Sequence, residues 1–148
     1  MNGPLFPTEQ QLCTAKVLII DDEEAYVRAL EWLLRQAKFT NLRGLTESPK
    51  AIDVFQSFQP DLVLLDLNMP EVDGFAVLQQ IRKLVPAGEF LPVLALTGYN
   101  AAETRSKAIA AGASDFLGKP FDNVEVMLRI RNLLQTRFLY KNARQPQS

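Results

Sequence analysis

The sequence of 148 residues carries a net charge of −1 and is 47% hydrophobic, which predicts one globular domain and gives no indication of a broad nucleic-acid-binding surface. It contains no histidine, which excludes histidine-based catalytic triads, histidine metal sites and phosphohistidine chemistry, and its single cysteine, Cys13, excludes an internal disulfide and fits a reducing compartment. No apolar run approaches the ~20 residues that span a bilayer, and residues 1–7 lack the basic start and apolar core of a signal peptide, so we expect a cytoplasmic protein.

Strand-like and helix-like segments alternate along the chain after a leader, residues 1–15, that we expect to be flexible. The predicted strands are short apolar runs, with one mixed segment typical of a sheet edge, at residues 17–20, 39–45, 62–65, 93–96 and 114–117. Apolar residues at helical spacing follow each strand, and Asp122 is suited to cap the fifth and last helix. This alternation predicts an α/β fold with a five-stranded parallel sheet of order 2-1-3-4-5, doubly wound and flavodoxin-like.

Polar side chains stand directly after four of the five predicted strands. In an open α/β sheet the carboxyl ends of the strands meet at one edge, and ligands bind there. Each side chain alone also fits a structural role, as a helix cap, a turn residue or a solvated lysine, so it is their convergence that indicates a site. The polar residues at these ends are Asp21, Asp22, Asp66, Asn68, Thr97 and Lys119.

The chemistry of this set favours phosphoryl transfer with a divalent cation. Three carboxylates held together repel one another and need a cation, and hard oxygen ligands suit Mg²⁺. An aspartate beside Mg²⁺ can attack phosphorus and become an acyl phosphate, while a lysine neutralises charge on the transferring group. The loop after the first strand is acidic rather than glycine-rich, so it is unsuited to cradle a nucleotide phosphate.

With these residues the sequence resembles the receiver domain of two-component response regulators, over about residues 16 to 137. The matching segments are Val17-Leu18-Ile19-Ile20-Asp21-Asp22-Glu23, Leu65-Asp66-Leu67-Asn68-Met69-Pro70, Asp73-Gly74, Leu96-Thr97-Gly98, Ala111-Gly112-Ala113 and Lys119-Pro120-Phe121. The resemblance implies a phosphoacceptor in phosphorelay signalling, which takes a phosphoryl group from a histidine kinase or a phosphotransfer protein. It implies no enzyme in the ordinary sense, because such a domain promotes only its own phosphorylation and dephosphorylation.

The resemblance also implies a role for each carboxylate and its neighbours. Asp66 matches the phosphoaccepting aspartate, Asp22 the direct Mg²⁺ ligand, and Asp21 the second acid, which acts largely through water. Asn68 lies where a backbone carbonyl completes the metal site. Asn68 and Tyr99 also occupy the positions at which the family tunes the rate of dephosphorylation.

Four further residues match the parts of the family that bind the phosphoryl group and respond to it. Thr97 matches the switch hydroxyl, Lys119 the lysine that pairs with the phosphoryl group, and Phe116 the aromatic residue that turns inward on activation. Phe116 stands where tyrosine is frequent, so an outward hydroxyl contact is lost. Pro120 suggests a cis peptide that directs Lys119 into the site.

The C-terminal residues admit three readings. The receiver domain is predicted to end near residue 137, and residues 138–148 extend the last helix or link it to an output domain. The run at residues 131–140 is similar to that of receivers joined to cyclic-di-GMP enzymes, including the HD-GYP phosphodiesterases. The other readings are a long core helix and a homodimer, formed through this helix or through helix 4, strand 5 and helix 5.

Three other functions compete with a phosphorylated receiver. A phosphatase of the haloacid-dehalogenase kind also uses an aspartate nucleophile, but it places a second aspartate two residues later, where this sequence has Asn68. A scaffold receiver that is never phosphorylated has no need for the intact acidic set. A flavin-binding flavodoxin-like domain would find its phosphate repelled by the acidic first loop.

Overall fold

The computed structural model describes residues 5–98 and 102–144 and has five strands and six helices in these ranges. The strands are β1 (Lys16–Ile20), β2 (Asn41–Leu45), β3 (Leu62–Asp66), β4 (Val93–Thr97) and β5 (Asp115–Gly118). The helices are α1 (Glu9–Cys13), α2 (Glu24–Gln36), α3 (Ala51–Phe58), α4 (Gly74–Leu84), α5 (Ala102–Ala110) and α6 (Asn123–Arg144), and a 3-10 turn at Ser48–Lys50 precedes α3. All strand pairs are parallel and their order is β2-β1-β3-β4-β5, which confirms the predicted fold.

The three inner strands are buried on both faces, which is why they read as continuous apolar runs in the sequence. Every residue of β3 and β4 is buried, whereas only Leu45 is buried in the edge strand β2. Residues of β1 alternate between the two layers: Val17 and Ile19 face α1, α2 and α6, and Leu18 and Ile20 face α3, α4 and α5. The sheet is therefore covered on both faces.

Helix α2 follows the acidic loop after β1, and its first turn lies beside the carboxyl end of the sheet. Its inner side is formed by Val27, Leu30 and Leu34, all buried at helical spacing. Its outer side carries Trp32, the only tryptophan of the chain, which is 60% exposed.

The N-terminal segment contains a helix that the sequence analysis did not predict. In α1, Leu12 is buried against the layer formed by α2 and α6, and Ala15 follows it into the same layer. The Gln11 side-chain amide donates to the Asn142 side-chain oxygen at 3.2 Å, so α1 is tied to the C-terminal half of α6. Residues 9–15 are thus part of the packed domain, and the expectation of a leader without structure is corrected for them.

Helix α6 continues without a break beyond the predicted domain end at residue 137, to Arg144. Asp122 caps its start, accepting from the backbone N–H of Val124 at 2.7 Å, as predicted. Near its end, Arg137 and Lys141 reach Asp61 at 3.2 and 3.3 Å, which fastens the helix to the amino-terminal end of the sheet. No helix in the described ranges is long and apolar enough to cross a membrane.

Candidate functional site

The first carboxylate of the site, Asp21, is held in place by contacts to both of its side-chain oxygens. Asp21 is 1% exposed at the end of β1. Its Oδ1 accepts from the backbone N–H of Glu23 at 2.9 Å, and its Oδ2 accepts from the ammonium of Lys119 at 2.7 Å. Each oxygen of Asp21 thus accepts one hydrogen bond from the protein.

Asp66 ends β3 and is 2% exposed, which is unusual for a carboxylate. Its Oδ1 accepts from the backbone N–H of Asn68 at 3.0 Å, while its Oδ2 has no hydrogen-bond partner among the described residues. The pKa of Asp66 is raised to about 7, chiefly by burial and also by the nearby charge of Asp21, against the lowering effects of the Asn68 N–H and of Lys119. The buried apolar strand thus carries a carboxylate to the sheet edge and leaves one oxygen available.

The three aspartates fit a hard divalent cation. One oxygen from each of Asp21, Asp22 and Asp66 lies within 4.8 Å of the others. Asp22 Oδ1 and Asp66 Oδ2 are buried and have no hydrogen-bond partner in the described part of the chain, so each has an acceptor that a cation would satisfy. The donor set is made of oxygen atoms only, which suits Mg²⁺.

Lys119 lies at the centre of the site, with its side chain only 5% exposed. Its Nζ is 2.7 Å from Asp21 Oδ2, 3.5 Å from Asp66 Oδ2 and 3.7 Å from Glu23 Oε1. Burial alone would lower the pKa of Lys119, but the three carboxylates raise it above its ordinary value, so the lysine is charged. The Lys119–Pro120 peptide is cis, as expected from the sequence.

The predicted switch residues lie beside Asp66, on the next two strands. Thr97 ends β4, is fully buried, and accepts a hydrogen bond from the side-chain amide of Asn68. Phe116 on β5 is 4% exposed and packs in the layer of α3, α4 and α5, so its ring is directed inward in this structure. Tyr99, the other residue expected to tune dephosphorylation, lies outside the described residues.

The loop between β3 and α4 is folded tightly against the site. The backbones of Asn68 and Asp73 form an isolated bridge, and Asp73 caps α4 by accepting from the N–H of Phe75 at 2.9 Å. Gly74 is necessary here, because a Cβ atom on it would lie 2.5 Å from the Cα of Leu67. This close approach holds the segment around Asn68 beside Asp66, whose Oδ1 accepts from the Asn68 N–H.

Tyr26 is a residue of the site that the sequence analysis did not single out. Its ring lies under the ammonium of Lys119, with 4.0 Å from Nζ to the ring centroid. A cavity of about 370 Å³ opens over the site and is lined by Glu23, Tyr26, Asp66, Asn68, Gly98 and Lys119. The available signal was position: Tyr26 lies in the first turn of α2, directly after the acidic loop, and is therefore at the same end of the sheet.

Comparisons with known proteins agree with this geometry. A model of the response regulator receiver domain matches residues 17–131. The response regulator PleD of Caulobacter vibrioides is 34% identical over 132 residues, which cover 89% of this chain and 29% of that protein. A response regulator structure from Chloroflexus aurantiacus matches with a TM-score of 0.74 and 30% identity, covering 82% of this chain and 98% of that one.

A further solved structure, of a two-component system response regulator/GGDEF domain protein, matches with a TM-score of 0.78 over 87% of this chain and 52% of that one. At 22% identity this likeness shows the shared fold alone. The chain spans between 18% and 50% of the lengths of the curated relatives it matches. Those relatives therefore contain segments with no counterpart in this sequence.

Proposed function

Because this chain belongs to the response regulator receiver-domain family of two-component signalling, we propose that Asp66 is its phosphoaccepting residue. The observation that carries this assignment is Asp66 Oδ2, which is buried at the sheet edge, accepts no hydrogen bond among the described residues and lies 3.5 Å from the ammonium of Lys119. Asp66 lines the cavity above the site and has a cation beside it. The sequence contains no histidine, so the donor histidine lies outside it, on a histidine kinase or phosphotransfer protein.

In the proposed reaction a carboxylate oxygen of Asp66 attacks the phosphorus of a phosphohistidine. The new P–O bond forms as the P–N bond breaks, the electron pair returns to the imidazole nitrogen, and solvent supplies the proton to that nitrogen. Lys119 stabilises the negative charge of the transferring group. Mg²⁺, held by Asp22 and Asp66 with Asp21 behind them, would neutralise the carboxylates and the phosphoryl oxygens.

The aspartyl phosphate would carry about −1.5 to −2 charges, by analogy with other phosphorylated side chains, in place of the single negative charge of the ionised carboxylate. We propose that this charge draws the Thr97 hydroxyl away from the Asn68 side chain and toward a phosphoryl oxygen. Phe116 lies on the strand next to Thr97, and its inward position is the one that such a movement would favour. The outcome is a population shift at the surface of α5, β5 and α6.

The identity of the partner that binds this surface is proposed separately. Phosphorylation would act on a second copy of the chain or on an output domain. The second copy would bind through α5, β5 and α6, which are helix 4, strand 5 and helix 5 of the sequence analysis, or through the extension of α6. A cyclic-di-GMP enzyme remains the proposed output on the basis of residues 131–140. The likeness to a response regulator/GGDEF protein is compatible with that output but concerns the fold alone.

The assignment of Asp66 is tested by incubating the protein with acetyl phosphate and Mg²⁺ and measuring the gain of one phosphoryl group by mass spectrometry. We expect labelling of the wild type that requires Mg²⁺, and no labelling of Asp66→Asn, because the amide is not a nucleophile. Borohydride reduction of the labelled protein, followed by peptide mapping, identifies the modified aspartate directly. The control is Asp53→Asn, which makes the same change at an exposed position on α3 and should be labelled normally.

Undiminished labelling of Asp66→Asn would overturn the assignment. A wild type that is not labelled at all, under conditions where the protein is folded, would favour a receiver that acts without phosphorylation. Catalytic turnover of p-nitrophenyl phosphate would instead favour a phosphatase.

A further inference from the structure

The ring of Tyr26 contacts the Lys119 ammonium, which also pairs with the carboxylates of the site. The Asp21 and Asp66 oxygens lie 2.7 and 3.5 Å from Nζ, and the Tyr26 ring centroid lies 4.0 Å from the same atom. Tyr26 is itself supported by Phe121, whose ring centroid is 5.9 Å away at an interplanar angle of 56°. The ammonium is thus enclosed by two carboxylates and an aromatic face.

This arrangement accounts for the low exposure of Lys119. A charged lysine usually extends into water, but here its side chain is 5% exposed. The face of an aromatic ring attracts a cation and excludes water from it, and the attraction is strongest when the cation is desolvated. Glu23, the third carboxylate near Nζ, is 59% exposed and 3.7 Å away, so it competes for the ammonium from the solvent side.

We propose that Tyr26 is a positioning residue for phosphoryl transfer, which holds Lys119 against Asp66 through contact between its ring and the ammonium. The inference rests on the proposed function, in which Lys119 stabilises the transferring group. The ring carries this role and the hydroxyl does not, because the contact is with the ring face. Without the ring, the ammonium gains access to water and to Glu23 and spends less time beside Asp66.

The test compares Tyr26→Leu, which removes the ring, with Tyr26→Phe, which keeps it. The initial rate of labelling by acetyl phosphate at saturating Mg²⁺ is expected to fall roughly three- to tenfold in Tyr26→Leu, the range expected for a partly desolvated cation–π contact. Tyr26→Phe should restore the rate to within about twofold of the wild type, since the ring face is retained. Trp32→Leu removes an exposed aromatic residue from the outer side of the same helix and controls for changes in α2 itself.

A second readout is independent of phosphorylation. A ring face 4.0 Å from the ammonium shifts the side-chain methylene protons of Lys119 upfield in NMR spectra, through the ring current. We expect this shift in the wild type and in Tyr26→Phe, and its loss in Tyr26→Leu. Circular dichroism and urea unfolding of each variant establish that it is folded.

The outcomes separate this inference from the proposed function. If the wild type is labelled and Tyr26→Leu is labelled at the same rate, the positioning role is overturned while Asp66 keeps its assignment. If Tyr26→Leu is slow and Tyr26→Phe is equally slow, the ring is not the active element and the proposal fails. An unlabelled wild type overturns the proposed function and this role with it, and the ring-current shift then demonstrates the contact alone.

Discussion

Asp66 is a carboxylate in a place where water solvates it poorly, and its titration follows from that conflict. In the folded protein its pKa is about 7, against an ordinary value of 3.8, so the folded state binds this proton more tightly than the unfolded chain does. By linkage, the contribution of Asp66 to the free energy of unfolding of the metal-free protein falls as the pH rises from 3.8 to about 7, and it stays at its low value above that pH. The residue is therefore maintained at a cost to stability, as expected of a group kept for chemistry.

We predict that Asp66→Asn increases the free energy of unfolding of the metal-free protein at pH 8 by about 1–3 kcal/mol, because it removes a poorly solvated charge. The difference from the wild type should shrink toward pH 5, where Asp66 is largely protonated in the folded state. Urea unfolding in the presence of EDTA at the two pH values measures both differences. An equal difference at pH 5 and pH 8 would contradict the raised pKa.

At the scale of elements, the site depends on how closely the start of α4 approaches the end of β3. Gly74 is the first residue of α4, and a Cβ atom there would lie 2.5 Å from the Leu67 Cα and 2.7 Å from the Asp66 carbonyl oxygen. Both are backbone atoms, so relief of the clash requires movement of the loop that carries Asn68. A helical glycine is ordinarily improved by alanine, which makes this position informative.

We predict that Gly74→Ala destabilises the protein by about 1–3 kcal/mol, the usual cost of overpacking, in spite of the better helix propensity of alanine. It should also slow labelling of Asp66, because the loop beside that residue is displaced. Gly98→Ala is the control, since a Cβ atom at Gly98 meets nothing within 4 Å among the described residues. Thermal unfolding of both variants checks the prediction, and equal melting temperatures would refute it.

At the scale of the whole molecule, the segments outside the family match pack against each other. The match covers residues 17–131, whereas α1 lies before it and the last part of α6 lies after it. These two parts are joined by the side chains of Gln11 and Asn142. Helix α1 also forms an ion pair from Glu9 to Arg131, the last residue of the match, and buries Leu12. The α1 contact therefore restrains the direction in which α6 leaves the sheet.

We predict that Leu12→Ala lowers the free energy of unfolding by about 2 kcal/mol, the lower end of the range for buried leucines, because Leu12 lies at the margin of its layer. Leu5→Ala should have little effect, since Leu5 is 54% exposed. Urea unfolding of both variants makes the comparison. If the two substitutions have the same effect, residues 9–15 do not contribute to the core.

The sequence was sufficient for the strand order and for the residues that meet at the sheet edge, because a parallel sheet buried on both faces leaves apolar runs and brings the strand ends together. It was insufficient for α1, since a helix of five residues is too short to show a helical period. It also missed the contact between Tyr26 and Lys119, which joins residues far apart in the chain because the first turn of α2 and the residue after β5 meet at the carboxyl end of the sheet. Such contacts depend on side-chain geometry, which no local pattern encodes.

The position of Trp32 determines what the intrinsic fluorescence of this protein can report. It is the only tryptophan, it is 60% exposed, and it lies about 12 Å along α2 from the acidic loop, at 1.5 Å per residue. Its emission should be that of a solvated indole and should change little when a cation fills the aspartate cluster. A macromolecule that docks on the outer side of α2 would shift the emission to shorter wavelength, so the native protein carries its own reporter for that face.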